Sequence, residues 1–267
     1  MKINPWEIVG ALAAGVAGYS WLVEPHWIEL TEYRLNLEHW PHELNGFFIL
    51  HLSDLHGRME VFSLPRFKAW CKQADMIVVT GDLFSSIFPR IQLARALDQL
   101  TAPYGVYYIS GNHDYRQETL WVDPWQPGSR LLDNKAVHIG PPTQGFWLAG
   151  LPDLVKGQPD MAQTLSQIHS DEPAILLSHR PDIALDPRAR RFQLVLSGHT
   201  HGGQIAVPWY GALLRHTHLP GRYAAGLWRK AGYPLVLTSR GLGTSELPMR
   251  FASRPQVLGI RLYRSES

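Results

Sequence analysis

Residues 47–54 read FFILHLSD, 75–82 DMIVVTGD, 105–114 GVYYISGNHD, 174–182 AILLSHRPD and 194–203 LVLSGHTHGG. Each opens on a short run of apolar residues, mostly Val, Ile, Leu, Phe or Tyr, and closes on a small or polar residue followed by Asp, His or Asn. Apolar runs this short, bounded by Gly or Pro, are the signature of buried strands. FWLAG (146–150), PLVLTS (234–239) and VLGIRLY (257–263) add three more. Helical patterns lie between several of them: Ser63 as N-cap with Pro65 in the first turn, running to about Gln73; Pro89 to about Leu100; and Asp160 to about His169. Strands alternating with helices predict an α/β protein, and the polar residues fall at the strands' C-terminal ends, where open α/β sheets place their ligands.

The rest of the chain sets the boundaries of that reading. With 267 residues, 45% of them apolar and only 18% charged, it can bury a large core and is neither disordered nor a coiled coil. A net charge of +2 gives no overall field for nucleic acid, so none is expected as a partner. Cys71, the single cysteine, excludes an internal disulfide. From Ile8 to Val23 the sequence is IVGALAAGVAGYSWLV, uncharged throughout, which makes a helix of about 24 Å against a hydrocarbon core of about 30 Å. Trp6, Trp21 and Trp27 near its ends are residues that settle at membrane interfaces. Residues 1–30 are therefore expected to be a membrane-associating segment and 31–267 the folded domain, the alternative being that the run is a buried Ala/Gly-rich core helix. Flanking charges, Lys2 before it and Glu24, Glu29 and Glu32 ahead of Arg34, set no clear orientation. Residues 203–233, rich in Gly, Pro and aromatics, read as loops and short strands forming a rim or lid.

The strand ends bring together Asp54, His56, Asp82, Asn112, His113, Asp114, His179, His199 and His201. Carboxylate and amide oxygens mixed with imidazoles, and no thiolate, suit Mn²⁺, Fe or Zn²⁺ better than a structural zinc site or an all-oxygen Ca²⁺ site. In Asp54-x-His56 and His199-x-His201 the period of two on an extended segment lets both side chains approach from one side. Gly81, Gly111 and Gly198, each preceding a ligand, are expected to supply the tight turn.

In the order DLH, GD, GNHD, H and GHTH, these blocks resemble the calcineurin-like metallophosphoesterase family over about residues 47–202. The flanking WIELTEYRLNL, HGGQ, SRGLGTSELPMRF and RPQV resemble a membrane-associated bacterial branch of it. The resemblance implies a four-layer αββα sandwich with a dinuclear metal site at one edge. Asp54, His56, Asp82 and His201 would hold one divalent ion, Asp82, Asn112, His179 and His199 the other, with Asp82 bridging; Mn²⁺ is expected ahead of Zn²⁺ or Fe. His113 would stabilise the transition state or protonate the leaving group, and Asp114 would orient it. The implied activity is hydrolysis of phosphoester or pyrophosphate bonds on a phosphate-containing, lipid-linked substrate such as UDP-2,3-diacylglucosamine, a lipid A precursor. Trp6, Trp21, Trp27 and Trp40, with Trp209, Tyr210, Tyr223 and Trp228, would line an apolar groove for it. The alternatives are a phosphodiesterase of broader specificity and a non-catalytic membrane-tethered binding module. Arg215-His216-Thr217-His218 reads as rim, and Arg240, Arg250 and Arg254 as either substrate contacts or loop braces.

Overall fold

The computed structural model describes residues 4–84, 90–116, 129–207, 209–213, 216–220, 223–245 and 247–265. In chain order the elements are α1 (Pro5–Leu22), β1 (Glu29–Leu37), β2 (Phe47–Leu52), α2 (Pro65–Gln73), β3 (Met76–Thr80), α3 (Arg90–Asp98), β4 (Val106–Ile109), β5 (Ser129–Leu131), β6 (Lys135–Ile139), β7 (Phe146–Leu151), α4 (Met161–Ser166), β8 (Ala174–Ser178), β9 (Leu194–Ser197), β10 (Ala206–Val207), β11 (Gly211–Ala212), β12 (Gly226–Trp228), β13 (Leu235–Thr238) and β14 (Gln256–Arg264). One six-stranded sheet runs in the order β1, β14, β2, β3, β4, β5 and the other β12, β13, β9, β8, β7, β6. The central strands β2 to β5 of the first sheet are parallel, as are β13, β9, β8 and β7 of the second.

Alternation along each strand builds the layers. Ile49, Val78 and Ile109 of one sheet meet Leu148, Leu177 and Leu196 of the other between the two. Their neighbours Leu50, Ile77 and Val79 turn outward onto Phe67 of α2 and Leu93 of α3, while Leu176 and Val195 turn outward beneath Met161 of α4 and Phe192. The result is the αββα sandwich. Strands buried on both faces have no polar side, which is why they read as continuous apolar runs.

All eight expected strands form. β1 was not legible because it is an edge strand in which only Leu35 and Leu37 are buried among charged residues. The helix expected from Ser63 begins instead at Pro65 with Leu64 as an uncapped entry; the Ser63 hydroxyl donates to the Glu60 carbonyl of the preceding turn. Asp160 does cap α4, accepting the Gln163 N–H at 2.9 Å. Pro89 lies outside the described residues.

α1 starts in a capping box between Asn4 and Glu7 and extends about 27 Å. It is long and apolar enough to cross a membrane by length and composition, and just 6% of its span is buried. That overturns the buried-helix alternative. Gly10, Gly15 and Gly18 look onto open space. Its C-terminal end alone is clamped: the Arg250 N–H donates to the Ser20 carbonyl at 2.8 Å, and the Ser253 N–H to the Glu24 carboxylate at 2.6 Å.

Candidate metal centre

The parallel strands of the two mixed sheets end side by side and present their C-terminal loops to one another. The turn after β2 carries Asp54 and His56, the turn after β3 Asp82, the turn after β4 Asn112 to Asp114, the turn after β8 His179, and the turn after β9 His199 and His201. Contrary to the expectation from the sequence, of the glycines before Asp82, Asn112 and His199 Gly81 alone takes the left-handed region (φ 86°), and Gly111 and Gly198 do not. The ligand residues adopt the left-handed region themselves: Asp54 at φ 49°, His56 at 46°, Asp82 at 53°, His199 at 68° and His201 at 51°. Each such residue costs on the order of 1 kcal/mol or more, so the surroundings must fix it. They do: the Asp54 N–H donates to the Gly81 carbonyl and the His56 N–H to the Asp82 carbonyl, each at 3.0 Å. Gly111 and Gly198 serve by size. A Cβ on Gly111 would collide with Asp82 Oδ1, and one on Gly198 with Ser53 Oγ and Asp54 Oδ2.

The side chains converge. His56 Nε2 lies 3.2 Å from His201 Nε2, which is 3.5 Å from Asp54 Oδ1. His179 Nε2 lies 3.2 Å from His199 Nδ1, 3.1 Å from Asn112 Oδ1 and 3.4 Å from Asp82 Oδ2. Asp82 Oδ2 is also 3.7 Å from His56 Nε2, which places it between the two groups. Donors bound at about 2.0–2.2 Å around a common cation sit roughly 3–3.5 Å apart, so these spacings fit a metal centre. The donor set fits as well, since two carboxylates facing four imidazoles and an amide suit divalent cations of intermediate hardness. Asp54, His56 and His201 form one triad whose ligand atoms lie within 4.8 Å of each other, and Asp82, His179 and His199 another. A third contains His56, Asp82 and His113, so geometry alone does not separate His113 from the ligands.

Residues 48–203 match the model of the calcineurin-like phosphoesterase family. The chain belongs to that family. It is a metal-dependent phosphoesterase. Among its relatives, the uncharacterized metallophosphoesterase YkuE of Bacillus subtilis is 34% identical and aligns over 93% of this chain and 92% of its own. The phosphodiesterase YaeI of Escherichia coli is 31% identical over 97% and 99% of the two chains. A transmembrane protein with a metallophosphoesterase domain from Danio rerio is 30% identical over 88% of this chain but 57% of its own length.

Burial decides the charge states of the phosphoesterase cluster. It pushes His56 down to about 4, His199 down to about 2 and His201 well below the usual imidazole range, leaving them as the neutral rings that ligate cations. Burial would raise Asp82, but His179, His56 and His113 outweigh it and hold that carboxyl far below its usual range. The Asp82 charge in turn overcomes the burial of His179 and lifts it to about 10. An ion loaded on His179 would then displace a proton near neutrality. Apparent metal affinity is expected to rise by up to about tenfold per pH unit from pH ~6 to ~8, read by calorimetric titration; an affinity flat in pH would mean that His179 is not a ligand.

Around these groups lie residues that brace them. Burial raises Asp114 to about 7; its oxygens accept the N–H groups of Asp82, Gly111 and Leu83 at 2.8–2.9 Å, closing the turn that carries Asn112 and His113. Arg180, which the sequence reading passed over, donates from Nε to the buried Asp153 and contacts His199 Nε2 from Nη1, both at 2.7 Å. Its only signal was adjacency to a ligand in the string HRPD. Arg250 is fully buried, and its guanidinium donates to the carbonyls of Gly243, Ser253 and Arg240 while Nη2 sits 3.2 Å from His201 Nδ1. It is a brace that works through carbonyls, not carboxylates. Arg250→Lys keeps the charge but not the fork, and losing two carbonyl bonds predicts a stability loss of about 2 kcal/mol in denaturant titrations. Arg240 pairs with Glu29 at 2.9 Å and Arg254 lies 3.9 Å over the Trp27 ring. His216 stands edge-on to His199 with centroids 6.1 Å apart, at the rim, while Arg215 lies outside the described residues. Trp40 and Trp228 do not line an apolar entry: both are core residues, and Tyr223 packs against Trp228.

Proposed function

We propose that this phosphoesterase is a phosphodiesterase or pyrophosphatase seated on the cytoplasmic face of a bacterial inner membrane, acting on a lipid-linked substrate of the UDP-2,3-diacylglucosamine type. Residues 1–30 are then the membrane-associating segment and 31–267 the catalytic domain. One observation carries the reading: the exposed apolar α1 carries in its last turn Ser20, whose carbonyl accepts the N–H of Arg250, and the Arg250 guanidinium in turn reaches His201. The anchor and the metal centre are thereby parts of one hydrogen-bonded unit, so a bilayer that takes up α1 holds the site at its surface.

In this reading Asp54, His56, Asp82 and His201 hold one divalent ion and Asp82, Asn112, His179 and His199 a second, Mn²⁺ by preference. Bound there, the two ions would supply Lewis acidity toward the phosphate oxygens and hydroxide at neutral pH. His113 stands beside that centre, its backbone N–H on Asp82 Oδ1 at 2.7 Å, and provides a proton or positive charge at the leaving oxygen. Asp114 sets its position through the 111–114 turn. The name of the Escherichia coli relative, similar over nearly its whole length, favours as second reading a phosphodiesterase of broader specificity.

Deleting residues 1–18 tests the reading while keeping Ser20 and Glu24, the partners of Arg250 and Ser253. The truncated protein with Mn²⁺ is expected to leave the membrane fraction, to hydrolyse bis(p-nitrophenyl) phosphate at the full-length rate, and to lose at least about tenfold toward UDP-2,3-diacylglucosamine in vesicles. Equal loss on both substrates would remove the membrane from the argument. Full-length protein active on the soluble diester alone would leave the broader phosphodiesterase.

A further inference from the structure

Val9, Leu12, Ala13, Val16, Ala17 and Ser20 recur at the three- and four-residue spacing of one helix face. That face of α1 is separated by a groove of about 590 Å³ from a wall made by Ile205, Met249 and Phe251. The small side chains of Ala13 and Ala17 leave the space open. Among the described residues that line it Ser20 is the one polar side chain, and its hydroxyl is turned back onto the Val16 carbonyl at 2.7 Å, so this lining is apolar.

The wall belongs to the metal centre. Phe251 follows Arg250, donates its N–H to the Gln204 carbonyl at 3.0 Å and accepts that of Ala206 at 2.8 Å. Gln204 donates in turn to the His201 carbonyl at 3.0 Å. Ile205 is therefore four residues from a ligand, on a turn that the same bonds hold rigid. At its other side the groove is continuous with the exposed apolar surface of α1, the part of the molecule that lies in hydrocarbon on the reading above. Val207, Trp209, Tyr210 and Leu213, on and around the β10–β11 hairpin that follows Ile205, extend the exposed apolar surface from the wall side.

We propose that this groove is an acyl-chain site: it takes one hydrocarbon tail of a membrane lipid whose phosphate end reaches the metal centre. The proposal rests on the membrane reading and adds to it where the tail lies. An apolar slot on the exposed face of α1, whose wall includes Ile205 just after the turn carrying His201, would hold the chain of a lipid-linked diester out of water while its phosphate end reaches for the metal centre.

The test uses the full-length protein in phosphatidylethanolamine and phosphatidylglycerol vesicles containing a phosphatidylglycerol with a diazirine in mid-chain. Irradiation is expected to label Ile205, Met249 or Phe251, and Ala17→Trp, which fills the groove, should remove that label. The same variant should lower the ratio of kcat/KM for a diacyl-linked diester to that for bis(p-nitrophenyl) phosphate about tenfold, as unseating roughly two methylenes would do. Ala14→Trp, on the outward face of the same helix, should change neither readout. Label confined to the outward face of α1, or cross-links between two copies through the groove, would overturn the proposal. The two readings fail separately. Cleavage of a lipid-linked diester with an unlabelled wall would sink the groove alone, whereas a labelled wall in a protein that cleaves only soluble diesters would sink the lipid-linked substrate and leave the acyl site standing.

Discussion

Asp82→Ala is expected to abolish turnover and to empty both metal positions. Its Oδ2 stands 3.4 Å from His179 Nε2 and 3.7 Å from His56 Nε2, so one carboxylate serves both halves of the centre. Its Oδ1 also accepts the His113 N–H, and without it the turn that presents Asn112 and His113 loses its anchor. Each bound cation supplies several kcal/mol of transition-state stabilisation, so losing two predicts a fall of more than about 10⁴-fold with bis(p-nitrophenyl) phosphate. Elemental analysis of the purified variant reads the metal directly. Full occupancy with normal activity would remove Asp82 from the bridging position.

His113→Ala should behave differently, with metal content kept and kcat reduced by about 10²–10⁴-fold, the range for an acid or charge-stabilising group. The cluster geometry permits His113 as a ligand beside His56 and Asp82, but its side chain is 12% exposed against 1% or less for His56 and His179, which leaves it open to an entering substrate. If it delivers a proton, the defect should shrink with a nitrophenolate leaving group. An equal defect on poor and good leaving groups makes it a charge stabiliser, and loss of metal makes it a ligand.

The strand-end blocks made the α/β class and the cluster of polar strand ends legible, because a strand buried on both faces must be apolar throughout and its first polar residues must fall where it leaves the sheet; the sandwich itself came from the resemblance those blocks carry. Edge strand β1 and helix start Pro65 were less legible, since neither carries a continuous apolar run nor a side-chain cap. The strand-end turns differ from the expectation for a physical reason: the sequence displays glycines, yet apart from Gly81 it is Asp54, His56, Asp82, His199 and His201 that take the left-handed backbone, and that conformation is stable only when neighbouring loops from other strands hold it.

The sequence by itself determined eight of the strands, the apolar N-terminal helix, the set of polar residues at the strand ends and, through the order of the blocks, the family. Only the tertiary structure put distances on the pairing that the family resemblance implied: His201 Nε2 stands 3.5 Å from Asp54 Oδ1, and His179 Nε2 3.4 Å from Asp82 Oδ2. It alone turned Arg250 from an ambiguous cation into a buried brace and placed α1 outside the core with its end tied to a ligand loop. Periodicity and composition record what one segment prefers, whereas these facts depend on contacts between segments up to some 230 residues apart, such as Glu24 and Ser253, that no local pattern encodes.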